Sequence, residues 1–226
     1  MPSLGRNREF CSVIAARTQC LVFDADYRKA PENPFPAALQ DAEDIVHYIA
    51  ANPGQYDPSN IFLSGFSAGG NIALVTAATL GPERVKGVIA FYPPVDFTKP
   101  HTAPEKRVLA GIIISPFLRK TFRSAYMLPS QPCDDPRISV IRTPVESFPK
   151  HVLLVCGNAD QGYDPAVKFV QRLNDAGHTD AKFMGLEYMA HGFDMCAEDG
   201  TEAGENKRKA HFGAVDMINR TISPHQ

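Results

Sequence analysis

The sequence predicts an α/β fold built on a mostly parallel sheet with helices on both faces. Short apolar runs rich in β-branched and aromatic residues alternate with helical stripes, and a Gly-x-Ser-x-Gly turn joins one such run to one such stripe. No unit of roughly 20–50 residues repeats, which excludes solenoids and propellers. At 226 residues, with 44% hydrophobic and 21% charged side chains, the chain can bury one ordinary core, and a single domain is expected over 1–226. Lys and Arg number 23 against 25 Asp and Glu, a net charge of −2, so the overall balance offers no footprint for nucleic acid or an anionic membrane. The longest apolar stretch, Val108 to Ile114, is too short for a transmembrane segment. The opening MPSLGRNREF lacks the apolar core of a secretory signal. Five dispersed cysteines (Cys11, Cys20, Cys133, Cys156 and Cys196) form no CxxC pair, so reduced thiols in a cytoplasmic protein are expected in place of a disulfide framework or zinc site.

The elements follow in order. Cys20 to Asp24 reads as a strand, followed by a loop punctuated by Pro31, Pro34 and Pro36. Ala38, Ala42, Ile45 and Ile49 then fall on one helical stripe. Asn60 to Ser64 is the next strand, Asn71 to Ala78 a helix that ends near Gly81, and Gly87 to Phe91 a third strand. His151 to Cys156 is a fourth. The helix after it has Asp164 as its expected N-cap, Pro165 at its first position, a stripe of Phe169, Val170 and Leu173, and Gly177 as its stop. Ala181 to Glu187 gives a fifth strand and Lys207 to Asn219 a closing helix. Residues 98–150 break this rhythm with an apolar, helix-like stretch from Val108 to Met127 and then a proline-rich one. An apolar insertion between sheet elements is expected to act as a lid over a site.

The chemistry concentrates in Gly65-Phe66-Ser67-Ala68-Gly69. Glycines two positions before and after the serine let strand and helix approach, and the sharp turn pushes the hydroxyl clear of the sheet. A serine hydroxyl needs a base, and the base an orienting acid, in loops beyond the carboxyl ends of later strands. His191 follows the fifth strand with glycine beside it, and Asp160 follows the fourth, with Asp164 as a competing acid. The order Ser67, Asp160, His191 is the one expected for a fold with this type of turn. His47, His178 and His225 read as ordinary surface or terminal residues.

These residues sit in longer stretches that carry a resemblance. Asp26-Tyr-Arg-Lys-Ala-Pro-Glu-Asn-Pro-Phe-Pro-Ala-Ala-Leu-Gln-Asp41, Tyr56 to Gly65, Ser67-Ala-Gly-Gly-Asn71, Asp135-Pro-Arg-Ile-Ser139 and His191-Gly-Phe193 resemble the hormone-sensitive-lipase group of α/β-hydrolases. The resemblance implies an α/β-hydrolase fold and hydrolysis of carboxylic esters through an acyl-enzyme, with a small hydrophobic ester as substrate and neither metal nor organic cofactor. It implies Ser67 as nucleophile, His191 as general base, Asp160 as its acid and the Ala68 N–H as an oxyanion donor. Two departures stand out. The family's acidic residue before the nucleophile is Phe66 here, and its His-Gly-Gly-Gly oxyanion segment, with the central strand preceding it, has no counterpart before the helix matching Asn7–Arg17. The chain therefore reads as N-terminally truncated relative to the family. A weakly active or purely ligand-binding relative, or a fragment of a longer esterase, stays open beside the active enzyme. Oligomeric state is not encoded in any of these features.

Overall fold

Four of the expected strands pair into one parallel sheet in strict chain order. In the computed structural model, which describes residues 4–100, 102 and 106–222, they are β1 (Phe62–Phe66), β2 (Gly87–Phe91), β3 (His151–Gly157) and β4 (Asp180–Leu186). Gly87 is the register point shared by Phe62 on one side and His151 on the other. β2 is buried along its whole length and β3 everywhere except His151, as expected for central strands covered on both faces.

The expected strand at Cys20 to Asp24 does not form. Those residues run without regular structure, with Leu21 and Phe23 exposed, and β1 is the edge of the sheet. Their composition suits a strand, but an isolated extended segment has no ladder partner for its N–H and C=O groups.

Helices α1 (Arg8–Thr18), α2 (Ala37–Ala51), α3 (Ala68–Leu80), α4 (Pro116–Tyr126), α5 (Tyr163–Asp175), α6 (Phe193–Cys196) and α7 (Glu202–Ile222) complete the fold. α3 and α5 connect sequential parallel strands, so right-handed crossovers put them on one face, with α2 packed outside α3. α1 and α7 pack together on the other. There the rings of Phe10 and Phe91 meet His211 at 5.3 and 6.2 Å, and Gly87 leaves room for Met217. Lys207 ties this layer together: its buried ammonium reaches Glu9 at 3.0 Å and Asp199 at 3.1 Å.

The helix boundaries hold two corrections. α5 begins one residue before Asp164, with Gly162 at the cap, so Asp164 lies exposed in the first turn, where its charge still favours the helix dipole. Gly177, at φ +88°, does follow the helix end. Within the helix-like stretch Val108 to Met127 the helix covers Pro116–Tyr126, capped by the Ser115 hydroxyl, which accepts the Leu118 N–H at 3.2 Å. Upstream, residues 109–112 form bends and isolated bridges in place of a helix, their backbone bonded to residues 188–191. The insertion returns to the core through fully buried Ile138, Ser139 and Val140. Asn71, buried on α3, donates to the Pro94 and Ile138 carbonyls at 2.8 and 3.0 Å and fixes that return.

His211 gives this packing a pH signature. Its Nε2 is buried without a partner, and burial pushes the imidazole below its ordinary range, opposed by Glu9 and reinforced by Lys207. The unfolded chain takes up this proton near pH ~6.5 while the folded chain resists it, so the contribution is complete above that pH and is lost as pH falls below it. His211→Phe is therefore expected to reduce the drop in Tm between neutral and mildly acidic buffer, measured by thermal unfolding across that range.

Candidate active site

Ser67 is forced into its position by the junction of β1 and α3. Its backbone takes φ 53°, ψ −120°, a region that costs a non-glycine residue of order 1–3 kcal/mol and persists only where the surroundings impose it. Two contacts impose it here. A Cβ on Gly65 would fall 2.2 Å from the Gly69 carbonyl oxygen, and one on Gly70 would come within 3.1 Å of the Gly65 oxygen and 3.2 Å of Pro93. A Cβ on Gly69, the second glycine of the pattern, would meet nothing within 4 Å. The tight partner of Gly65 is thus the backbone at 69–70, with Gly70 as the second constrained glycine. The Ser67 N–H is anchored to the Phe91 carbonyl at 2.9 Å, so the turn is locked to the end of β2. Phe66 stacks on Phe91 with centroids 4.4 Å apart and takes Phe10 edge-on at 5.2 Å, which gives the departure from an acidic residue a packing role.

The structure brings Ser67, His191 and Asp160 together. Ser67 Oγ lies 2.7 Å from His191 Nε2, and His191 Nδ1 lies 2.7 Å from Asp160 Oδ2. With the Nδ1 proton directed at the carboxylate, Nε2 is left as the acceptor for the serine hydroxyl. The Asp160 side chain is only 1% exposed, and its other oxygen accepts the Gly162 N–H at 2.7 Å. Ala68 opens α3, where the N–H groups of the first turn lack intrahelical acceptors and carry the positive end of the helix dipole.

The loop carrying His191 is held by tertiary contacts. Leu109 donates to the Tyr188 carbonyl at 2.7 Å, Ala190 to the Ala110 carbonyl at 2.8 Å, and Ile112 to the His191 carbonyl at 2.8 Å. Gly111, at φ +98°, makes this strap possible, since a Cβ there would sit 2.7 Å from the Ala190 backbone. On the other side Asn158 accepts the Tyr188 N–H at 2.8 Å.

Two residues at the site carry no spacing signal in the sequence. The Tyr92 ring lies 4.8 Å from the imidazole, at a residue with φ +39°, and its hydroxyl donates to Asp194. Burial pushes the Asp194 carboxyl above the usual range, against the lowering effect of that hydrogen bond, and burial followed by the Asp194 charge pushes the Tyr92 hydroxyl well up. Position alone could have flagged them: Tyr92 directly follows β2, and Asp194 stands three residues after the histidine.

This architecture and this constellation define the class. The chain belongs to the alpha/beta hydrolase fold family, which it matches over residues 1–195. Among curated proteins it is similar to probable carboxylesterase 6 of Arabidopsis thaliana, 43% identical over 96 residues, 38% of this chain and 29% of that protein. It is also similar to carboxylesterase NlhH of Mycobacterium tuberculosis, 42% identical over 65 residues, 28% of this chain and 20% of that one. The matched stretches thus span less than a third of these relatives' own length. Among solved structures, a Pyrobaculum calidifontis esterase superposes with a TM-score of 0.80 at 27% identity, over 97% of this chain and 72% of that one. Esterase LipW of Mycobacterium marinum shares the fold with a TM-score of 0.85 at 24% identity, over 99% and 70%.

The two glycines of the Ser67 turn are expected to respond oppositely to a methyl group. Gly65→Ala should destabilise by ~3 kcal/mol or more, because backbone must move on both sides. Gly69→Ala should be neutral or stabilising by up to ~1 kcal/mol, because the site is open and helical. Urea unfolding of the two variants measures both.

Proposed function

We propose that this chain hydrolyses carboxylic esters through an acyl-enzyme on Ser67. The observation that carries the proposal is the unbroken relay from the Ser67 hydroxyl through His191 to buried Asp160, 2.7 Å at each step. In the proposed cycle His191 Nε2 takes the serine proton as Oγ attacks the ester carbonyl, and Asp160 holds the imidazole in orientation and stabilises the imidazolium. The Ala68 N–H donates to the developing oxyanion at the α3 N-terminus. His191 then gives its proton to the leaving alcohol. Water, deprotonated by the same nitrogen, attacks the acyl group, and a second tetrahedral intermediate releases the acid and restores Ser67.

The named relatives and the shared fold support an ester as substrate. The apolar side chains of the insertion favour a small hydrophobic one. The five free thiols are in keeping with a cytoplasmic protein. The Ala68 N–H is the oxyanion donor identified among the described residues, and such a donor is worth ~10²–10³ in rate. In a second reading the site binds an ester-like ligand with little turnover.

A fluorophosphonate probe is expected to label Ser67 alone, and Ser67→Ala to abolish labelling, as read by mass spectrometry of the digested protein. Label on Ser64, or label that survives the substitution, would overturn the assignment. In short-chain ester hydrolysis, Asp160→Asn should lower kcat by roughly 10⁴-fold with a much smaller change in KM, while Asp164→Asn leaves both unchanged. Labelling of Ser67 without measurable ester turnover would favour the binding reading.

A further inference from the structure

The relay from Ser67 to Asp160 leaves two side chains beside His191 without a task. Both nitrogens of the imidazole are taken, Nε2 by Ser67 and Nδ1 by Asp160, so Tyr92 and Asp194 bear on the flank and the charge of the ring. Tyr92 is 3% exposed, and its N–H donates to the Val155 carbonyl at 2.6 Å. Phe66 at 6.0 Å and Phe193 at 5.4 Å pack its ring, which meets the imidazole at 4.8 Å and a tilt of 58°. At φ +39° its backbone sits where a non-glycine residue is strained, so the end of β2 and these tertiary contacts impose the placement. Asp194, in the first turn of α6, accepts from the Tyr92 hydroxyl with Oδ1 and from Asn7 Nδ2 with Oδ2, the latter at 3.5 Å.

Proton transfer from Ser67 makes the imidazole a cation, and these two groups then act on its charge. An aromatic ring within ~6 Å attracts a cation, more strongly where water is excluded. A phenol that donates to a carboxylate is polarised by it, which makes the ring a better partner. Burial and the Asp194 charge push the Tyr92 hydroxyl well up, so the proton stays on the phenol and the carboxylate remains the acceptor. The Asp194 carboxyl, raised by burial, is drawn back down by that hydrogen bond and by the charge of His191. The attraction of two charges is mutual, so Asp194 favours the imidazolium in turn. Among the described residues, the other titratable groups acting on the pair are Asp160, Glu9 and Cys156. Glu9 on α1 is paired with Lys207 at 3.0 Å, and burial pushes the Cys156 thiol well up, which keeps it neutral.

We propose that Tyr92 and Asp194 are positioning residues for the general base: the ring steadies the flank of the imidazole, and the carboxylate, acting through the phenol, stabilises the imidazolium that forms as Ser67 attacks. The role rests on the proposed reading of His191 as that base. It belongs to the chemical step and not to ester binding, because the positive charge exists only once the serine proton has begun to move.

Three substitutions separate the parts. Asp194→Asn keeps an acceptor for the Tyr92 hydroxyl but removes the charge, Tyr92→Phe keeps the ring but removes the bridge, and Tyr92→Leu removes both. In short-chain ester hydrolysis the first two should each lower kcat about threefold and Tyr92→Leu about tenfold, with KM held within about twofold. Recovery of most of the Tyr92→Leu loss in Tyr92→Phe assigns that part to the ring. The charge is also read without turnover, by proton NMR titration of the His191 ring, its resonance assigned by its absence from His191→Gln. Asp194→Asn should lower the titration midpoint by about 0.5 in pH, the equilibrium counterpart of a threefold effect. Circular dichroism checks the fold, and if Tyr92→Leu does not fold, Asp194→Asn and Tyr92→Phe decide. A midpoint that stays in place in Asp194→Asn, or losses that fall on KM with kcat intact, overturn the proposal. If the unsubstituted chain neither turns over esters nor labels at Ser67, it is the hydrolase reading that fails. A midpoint that still moves then supports the hold of the pair on the imidazole, and one that does not overturns it.

Discussion

The close approach of β1 and α3 is the constraint on which the rest of the site depends. Gly65 and the 69–70 backbone touch so tightly that no side chain fits between them, and this contact holds Ser67 in a conformation it would not adopt alone. The strain is supported by the Ser67 N–H bond to Phe91 and by the aromatic stack of Phe66 on Phe91 below the turn. Those contacts belong to the end of β2, so the hydroxyl is fixed relative to the sheet and not merely relative to its own turn.

The histidine is fixed by different means. Ser67 is held by its own turn and by one distant strand end, that of β2 at Phe91, whereas the His191 loop is clasped by 109–112 from the insertion, by Asn158 after β3 and by the ring of Tyr92 after β2. The Ser67 hydroxyl is thus placed mainly by its own turn, and the His191 imidazole by converging segments. The 2.7 Å separation of Oγ and Nε2 requires both systems to be in register. The insertion that carries the exposed helix α4 is also the segment whose backbone at 109–112 bonds to the His191 loop.

The site was legible where a short-range steric rule governs the residue. Ser67 and Gly65 follow from the turn pattern, and His191 and Asp160 from the need for a base and an acid beyond later strands. Other features were not legible, for physical reasons. Gly69 looks equivalent to Gly65 in the pattern, yet only one of them faces backbone. Asp164 has the composition of a helix cap, but α5 starts a residue earlier because Asp160 already accepts the Gly162 N–H.

By itself the sequence determined the α/β class, the paired strands and the crossover helices, because alternation, capping and hydrophobic period are local properties of the chain. It also determined which residue types could form a nucleophile, base and acid. Tertiary structure decided what local pattern cannot encode. Cys20 to Asp24 has the composition of a strand but no ladder partner, so it stays outside the sheet. Residues 109–112 lie in a helix-like stretch but bend and bridge instead, because the His191 loop offers them hydrogen bonds. Tyr92 and Asp194 meet beside the imidazole from positions 102 residues apart. In each case the deciding energy comes from a partner distant in sequence, and that partner exists only once the sheet has formed.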